Sequence, residues 1–283
     1  MLWMGDAWYT REVDFSTTWG LQKRVAQERR LPLLNNFMAT MPQYFIWDDH
    51  DFGPNDAGKS FHLKKESRDV FKKYTLNPSY GEDEKGIYTK LSYSDVDLFL
   101  TDGRYFRSED RLLDSIDSKP NSQKTFFGNI QMDWLKNSLV YSNATFKIIV
   151  SGSQVLNTAT TAECMCNYSY EYNDLLQFIT DQKIQGVLFF SGDRHHSEVI
   201  EKKRPETYSL YDVTISPLTA GVGTLRGAEL NNPLRVKNTL VEAQNFGNIS
   251  VSGPKNNRKL KVEFIGLKGN KLSEWEINEQ ELK

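Results

Sequence analysis

Five times along this chain a short apolar run stops abruptly at small, polar or acidic residues. Met1-Leu2-Trp3-Met4 gives way to Gly5-Asp6, and Tyr44-Phe45-Ile46-Trp47 to Asp48-Asp49-His50-Asp51. Asp97-Leu98-Phe99-Leu100 runs into Thr101-Asp102-Gly103-Arg104, and Phe146-Lys147-Ile148-Ile149-Val150 into Ser151-Gly152-Ser153-Gln154. Gly186-Val187-Leu188-Phe189-Phe190 ends at Ser191-Gly192-Asp193-Arg194-His195-His196. Continuous apolar runs of this length suit strands buried on both faces. A carboxylate at the inward-pointing end of such a strand needs a compensating cation or substrate, which a surface loop does not.

Helical patterns lie between several of the runs. Residues 16–40 predict a helix with Ser16 as N-cap and an apolar stripe through Leu21, Val25, Leu33, Leu34 and Met38. Residues 59–75 read as a charged surface helix, with His62 a solvated residue on it. Residues 128–139 carry a stripe through Ile130, Trp134, Leu135 and Leu139, and residues 172–183 form a fourth helix. Strands and helices in alternation predict an α/β architecture. In the last third, residues 209–216, 245–253 and 259–277 read as antiparallel strands of a second sheet beside the first. The last pair turns at Gly269-Asn270. No linker intervenes, so both sheets belong to one domain.

The 283 residues carry a net charge of −2, which gives no support for a general nucleic-acid or membrane-surface binder. No apolar stretch approaches the roughly 20 residues of a transmembrane helix. Met1-Leu2-Trp3-Met4 lacks the basic start of a signal peptide. Cys164 and Cys166 are too close for a relaxed disulfide and lack the usual zinc spacing, so they read as loop thiols.

Ligands of open α/β sheets bind at the carboxyl ends of the strands. If the five runs share a sheet, Asp6, Asp49 and Asp193 converge with His195, and Asp48, Asp51 and Asp102 stand close by. Clustered anions in a dry site repel one another, so a multivalent cation is the natural compensation. Oxygen donors with one imidazole favour calcium, manganese, magnesium or ferric iron over a structural zinc. Arginines suit the oxygens of a phosphate, and Arg11, Arg104 and Arg194 each follow a junction acid. Each residue also has an ordinary reading. Gly5-Asp6 is a common turn, and Asp49 and His50 suit a helix cap. Tyr9 fits packing as well as a metal, and Asn55 a turn as well as a site contact. His196 reads as a neighbour of the site. Gln154 and Asn157 read as hydrogen bonders at a strand end.

Gly5-Asp6-Ala7-Trp8-Tyr9, Trp47-Asp48-Asp49-His50-Asp51 with Asn55, Asp102-Gly103-Arg104-Tyr105-Phe106-Arg107 and Ser191-Gly192-Asp193-Arg194-His195 occur in this order. The set resembles the PhoD-type alkaline phosphatases of the calcineurin-like metallophosphatase superfamily. Gln131-x-x-Trp134-Leu135 and Ser216-Pro217-Leu218 are similar to further family landmarks. The resemblance implies a four-layer α/β/β/α sandwich of two mixed sheets. It implies metals, calcium with iron, and cleavage of phosphate monoesters and often diesters by in-line attack of a metal-activated water. By resemblance Asp6 bridges the metals, Asp49 and Asp193 bind one, His195 binds the other, and Tyr9 lies beside them. His50, Asn55, Arg11 and Arg104 face the phosphate or stand just behind it. The implied partner is a small phosphate ester, and the implied location is outside the cytoplasm. Family members carry another strand and a cysteine ligand ahead of the Gly-Asp turn. Residues 1–283 are therefore expected to be one metallophosphatase domain without its first strand. An inactive metal- or phosphate-binding remnant is the alternative to an enzyme.

Overall fold

The computed structural model describes residues 1–82, 84–160 and 162–283. The strands in chain order are β1 (Leu2–Met4), β2 (Tyr44–Ile46), β3 (Thr89–Tyr93), β4 (Val96–Leu100), β5 (Ser115–Ile116), β6 (Lys119–Pro120), β7 (Phe146–Ser151), β8 (Val187–Ser191), β9 (Glu198–Lys202), β10 (Leu210–Thr214), β11 (Asn245–Ser252), β12 (Lys259–Gly266) and β13 (Lys271–Asn278). The helices are α1 (Thr18–Glu28), α2 (Pro32–Met38), α3 (Asp49–Phe52), α4 (Lys64–Tyr74), α5 (Gly128–Tyr141) and α6 (Ser169–Asp181).

A mixed sheet runs β3-β4-β7-β8-β10-β9. β4, β7, β8 and β10 are parallel neighbours, flanked by antiparallel β3 and β9. Every residue of β7 and β8 is buried, so both faces of the sheet centre are covered, as in the interior of an α/β/β/α sandwich. α5 lays Trp134 on Tyr88 and Phe99. β11, β12 and β13 form an antiparallel sheet. β12 alternates strictly, turning Leu260, Val262 and Phe264 inward, and Trp275 of β13 packs on Tyr211 of β10. One continuous core joins these layers.

Several expectations need correction. The five apolar runs do not share one sheet: β1 and β2 pair in parallel as a separate ladder, Leu2 opposite Tyr44 and Met4 opposite Ile46. Residues 209–216 contribute β10 to the central sheet, because Asp212–Thr214 pair with Phe189–Ser191. The single helix over 16–40 is two helices. Pro32 has no N–H to continue α1, and it sits in the first turn of α2 instead. The N-cap is Thr17, whose hydroxyl accepts from the Gly20 N–H at 3.0 Å. The charged segment 59–75 is helical only from Lys64 and is no simple surface helix. Ser67, Arg68, Val70 and Phe71 are buried, and the Arg68 guanidinium donates to the carbonyls of Gly86 and Tyr80. β3 and β9 carry no continuous apolar run and escaped the sequence reading.

Candidate metal centre at the strand ends

Although β1 and β2 leave the central sheet, their carboxyl ends meet those of β7 and β8. A Cβ added at Gly5 would stand 2.6 Å from the Asp48 Cβ, one at Gly152 2.6 Å from the Asp48 Cγ, and one at Gly192 2.7 Å from the Met4 carbonyl. Glycine at these three positions is what lets backbones and the Asp48 carboxylate approach so closely. The loop after β4 supplies Arg104, whose Nε donates to Asp48 Oδ1 at 2.5 Å. All five junctions thus reach one place.

Asp6, Asp193 and His195 hold left-handed backbone, with φ of 52°, 66° and 56°. Non-glycine residues held so in neighbouring turns are the local strain that functional sites tend to store. Asp6 accepts from the Tyr9 hydroxyl at 3.2 Å and from the His50 N–H at 3.3 Å. The same Tyr9 hydroxyl is 3.4 Å from His195 Nε2, and its ring stacks on His50 with centroids 4.3 Å apart. The His195 N–H donates to Ser216 Oγ at 3.0 Å. Asp49 faces two ways. Its Oδ2 accepts the Asp56 N–H at 2.9 Å and lies 3.9 Å from His50 Nε2, while its Oδ1 lies 3.7 Å from Arg104.

Among the described residues two groups of candidate ligands result, each with its ligand atoms within 4.8 Å of one another: Asp6, Asp49 and His50, and Asp48, Asp49, Glu163 and Asp193. Asp48 and Asp49 are 1% and 3% exposed, yet Asp48 Oδ2 and Asp49 Oδ1 have no hydrogen bond among the described residues. Buried carboxylate oxygens without a donor are costly, and a cation removes that cost. The donor set therefore fits hard metal ions. Burial, then the neighbouring Asp49, Asp48 and Asp51, raises Asp6 well above the usual carboxylate range. Burial with Asp48, Glu163 and Asp49 does the same to Asp193. Burial also pushes against ionised Asp49, but Arg104, His50 and the Asp56 N–H outweigh it and bring Asp49 below that range.

A cleft of 330 Å³ opens over this cluster, bordered by Asp6, Asp49, His50, Asn55, Asp193 and His195 among others. Three expected residues do not border it: Tyr9, whose hydroxyl meets Asp6 and His195, Arg11 and Arg104. Arg11 is an exposed residue at the start of a single 3-10 turn, its N–H donating to Asp14. Arg104 is 0% exposed, with its nitrogens committed to Asp48 and Glu163, so it cannot face a phosphate in this arrangement. Asp51 and Asp102 are architectural. Asp51 accepts the Trp8 and Asp48 N–H groups, and Asp102 accepts from the Trp47 indole and the Ile87, Arg104 and Tyr105 N–H groups. Gln154 and Asn157 hydrogen-bond each other and buried Glu198. Cys164 and Cys166 are free thiols.

The structure singles out Arg194 among the three arginines and adds Glu163. Arg194 borders the cleft with its Nε buried and without a hydrogen bond among the described residues, while its Nη2 donates to Glu229 at 2.7 Å. Glu163 gives no sequence signal: it sits in a loop far from any apolar run and reaches the cluster only through the tertiary fold.

The family model of PhoD-like phosphatases matches residues 6–253. Among solved structures, one titled as PhoD superposes with a TM-score of 0.74 at 18% identity, covering 93% of this chain and 59% of its own. The purple acid phosphatase PPD1 from yellow lupin (Lupinus luteus) seeds gives 0.58 at 12% identity, covering 93% of this chain and 44% of its own. GAP50, described as the anchor in the inner membrane complex of Plasmodium, gives 0.50 at 15% identity, covering 84% and 66%. At these identities the superpositions show a shared fold, and this chain spans 59% of the PhoD chain's length. No curated protein matches the sequence. With a family model that spans most of its length, the chain belongs to the PhoD-like phosphatase family.

Proposed function

We propose that this chain is a metal-dependent phosphoric ester hydrolase acting on small phosphate esters. The observation that carries the reading is the convergence of Asp6, Asp49, Asp193 and His195 beneath one cleft, with two buried carboxylate oxygens that have no donor among the described residues. Asp6, Asp49, Asp193 and His195 hold the metals, and Tyr9 fixes Asp6 and His195 through its hydroxyl. The oxygen-rich set suits calcium with iron, the pair that the family resemblance suggests. Metal ions held there supply Lewis acidity and offset the repulsion of the carboxylates.

The chain's own residues divide the remaining work. Arg194, partly exposed at the border of the cleft, offers its guanidinium to a phosphate oxygen and takes the place foreseen for Arg104. Arg104 acts from behind by anchoring Asp48. His50, its ring held against Tyr9, carries a proton to the leaving oxygen. Asn55 lies exposed on the rim and donates to the substrate. Arg11 is assigned no contact with the phosphate. Export from the cytoplasm belongs to the proposal through the family resemblance, and no described helix is long and apolar enough to cross a membrane.

A second cavity of 590 Å³ shares Asp56, Asp193 and Arg194 with the first. Room beyond the phosphate favours diesters as substrates beside monoesters. Elemental analysis of the purified chain, with p-nitrophenyl phosphate and bis-p-nitrophenyl phosphate as substrates, tests the reading. Bound metal with turnover supports it, and the ratio of the two rates ranks the ester classes. Full metal occupancy without turnover of either ester would identify a binding remnant instead.

A further inference from the structure

Glu163 is the member of the second acidic group that differs from its neighbours. Among the described residues Asp48 and Asp49 each keep one buried oxygen without a hydrogen bond, whereas both oxygens of Glu163 are taken. Arg104 grips the carboxylate with a two-pronged fork, Nη1 to Oε1 at 2.9 Å and Nη2 to Oε2 at 2.5 Å. Arg107 adds Nη2 to Oε1 at 2.7 Å. Such paired, charge-assisted contacts are how guanidinium groups recognise carboxylate and phosphate.

The two arginines form a built pocket. Arg104 is 0% exposed and Arg107 1%. Arg104 Nε is fixed by Asp48, and Arg107 is fixed by the Tyr168 hydroxyl, Ser153 and Asp110. Arg107 also lies against the Phe126 and Tyr168 rings, 4.9 and 5.2 Å from their centroids. Glu163 by contrast is itself outside helix and strand, two residues ahead of the short 3-10 turn Met165–Asn167. It lines the 590 Å³ cavity together with Ala162, and that cavity meets the metal cleft at Asp193 and Arg194. A rigid cationic host therefore holds a carboxylate guest from a loop, at the edge of the space where the far part of a substrate would lie.

We propose that Arg104 and Arg107 form an anion subsite beside the metal cluster, with Glu163 as its internal occupant. Its ligand is a carboxylate or second phosphoryl group carried by the substrate beyond the reacting phosphate, which binds by displacing Glu163. The inference rests on the phosphoesterase reading for what occupies the neighbouring cleft, but not for the existence of the subsite.

The test uses the full, metal-loaded chain and two phosphonates that cannot be hydrolysed, 3-phosphonopropionate and propylphosphonate, which differ in the terminal carboxylate. Calorimetric titration of wild type and Glu163→Gln gives the four affinities, and elemental analysis gives the metal content. The expected result is binding of 3-phosphonopropionate tighter by about tenfold or more in E163Q, as charged hydrogen bonds become free to form, with propylphosphonate unchanged. Glu163→Ala, which leaves the arginines with no side-chain guest, should move in the same direction and guards against a glutamine that still blocks the subsite. Equal changes for the two phosphonates, or no change in either variant, would overturn the proposal. Loss of metal in both variants would also overturn it, since Glu163 would then be a metal ligand. Failure of the chain to hydrolyse any ester leaves these titrations readable and counts against the enzyme reading alone.

Discussion

Single side chains here carry large electrostatic burdens. Buried Glu198 accepts from Gln154 at 3.0 Å and Arg235 at 2.6 Å, and lies 3.3 Å from His196 Nε2. Burial alone would raise its pKa, but His196, Arg235 and Gln154 overcome that and hold it down at about 2, against an ordinary 4.5. A depressed acid adds stability above its unfolded pKa and loses it as the pH falls towards the folded value. The difference corresponds to about 3 kcal/mol at neutral pH, lost between pH ~5 and pH ~2. Glu198→Gln should therefore lower the urea midpoint strongly at pH 7 and much less at pH 3. At the metal cluster, Asp49→Asn should remove bound metal and reduce ester turnover at least about 100-fold, read by elemental analysis beside rate measurements. Unchanged turnover would refute the ligand assignment.

At the level of the element, strand and helix ends decide the outcome. Thr17 caps α1, so Thr17→Ala should cost about 1 kcal/mol in chemical denaturation, while Ser16→Ala should cost little. Equal effects would place the cap wrongly. At the end of β7, a Cβ on Gly152 meets the Asp48 carboxyl at 2.6 Å. Gly152→Ala should cost about 1–3 kcal/mol through overpacking and also weaken metal binding by displacing Asp48. Gly221 has open space where a Cβ would go, and Gly221→Ala is the matched control, measured by thermal melting with and without metal.

The whole molecule stores the repulsion of its acids at one point. In the metal-free chain burial and neighbouring carboxylates raise Asp6 and Asp193 above their ordinary 3.8. The folded form then binds protons that the unfolded form has released, so stability should fall as pH rises from about 4 through the raised values. Metal binding reverses this. Melting temperature should rise with added calcium or manganese, and the rise should be larger at pH 8 than at pH 5, because protons compete for the same oxygens. At a free metal concentration of about 100 times Kd the gain is about 2.7 kcal/mol. A metal-induced shift independent of pH would contradict a carboxylate site.

Much of this was legible because burial leaves a local trace. A strand covered on both faces must be apolar throughout, so β2, β4, β7 and β8 announced themselves, and the acids at their ends stood out as exceptions that need compensation. The same logic hid β3 and β9, whose residues are only partly apolar, and Glu163, which no periodicity marks. Sequence also placed Arg11, Arg104 and Arg194 equally near the chemistry. Only the fold put Arg104 behind the cluster, Arg11 on the surface and Arg194 on the cleft. The amino-acid sequence by itself determined the strand-forming runs, the family and the carboxylates at the strand ends, because these follow from neighbours along the chain. Tertiary structure alone decided which charges meet, that β1 and β2 pair apart from the central sheet, and that Glu163 fills the fork of two arginines. Those contacts join residues about 40 to 190 positions apart, and side-chain electrostatics depends on distance in space.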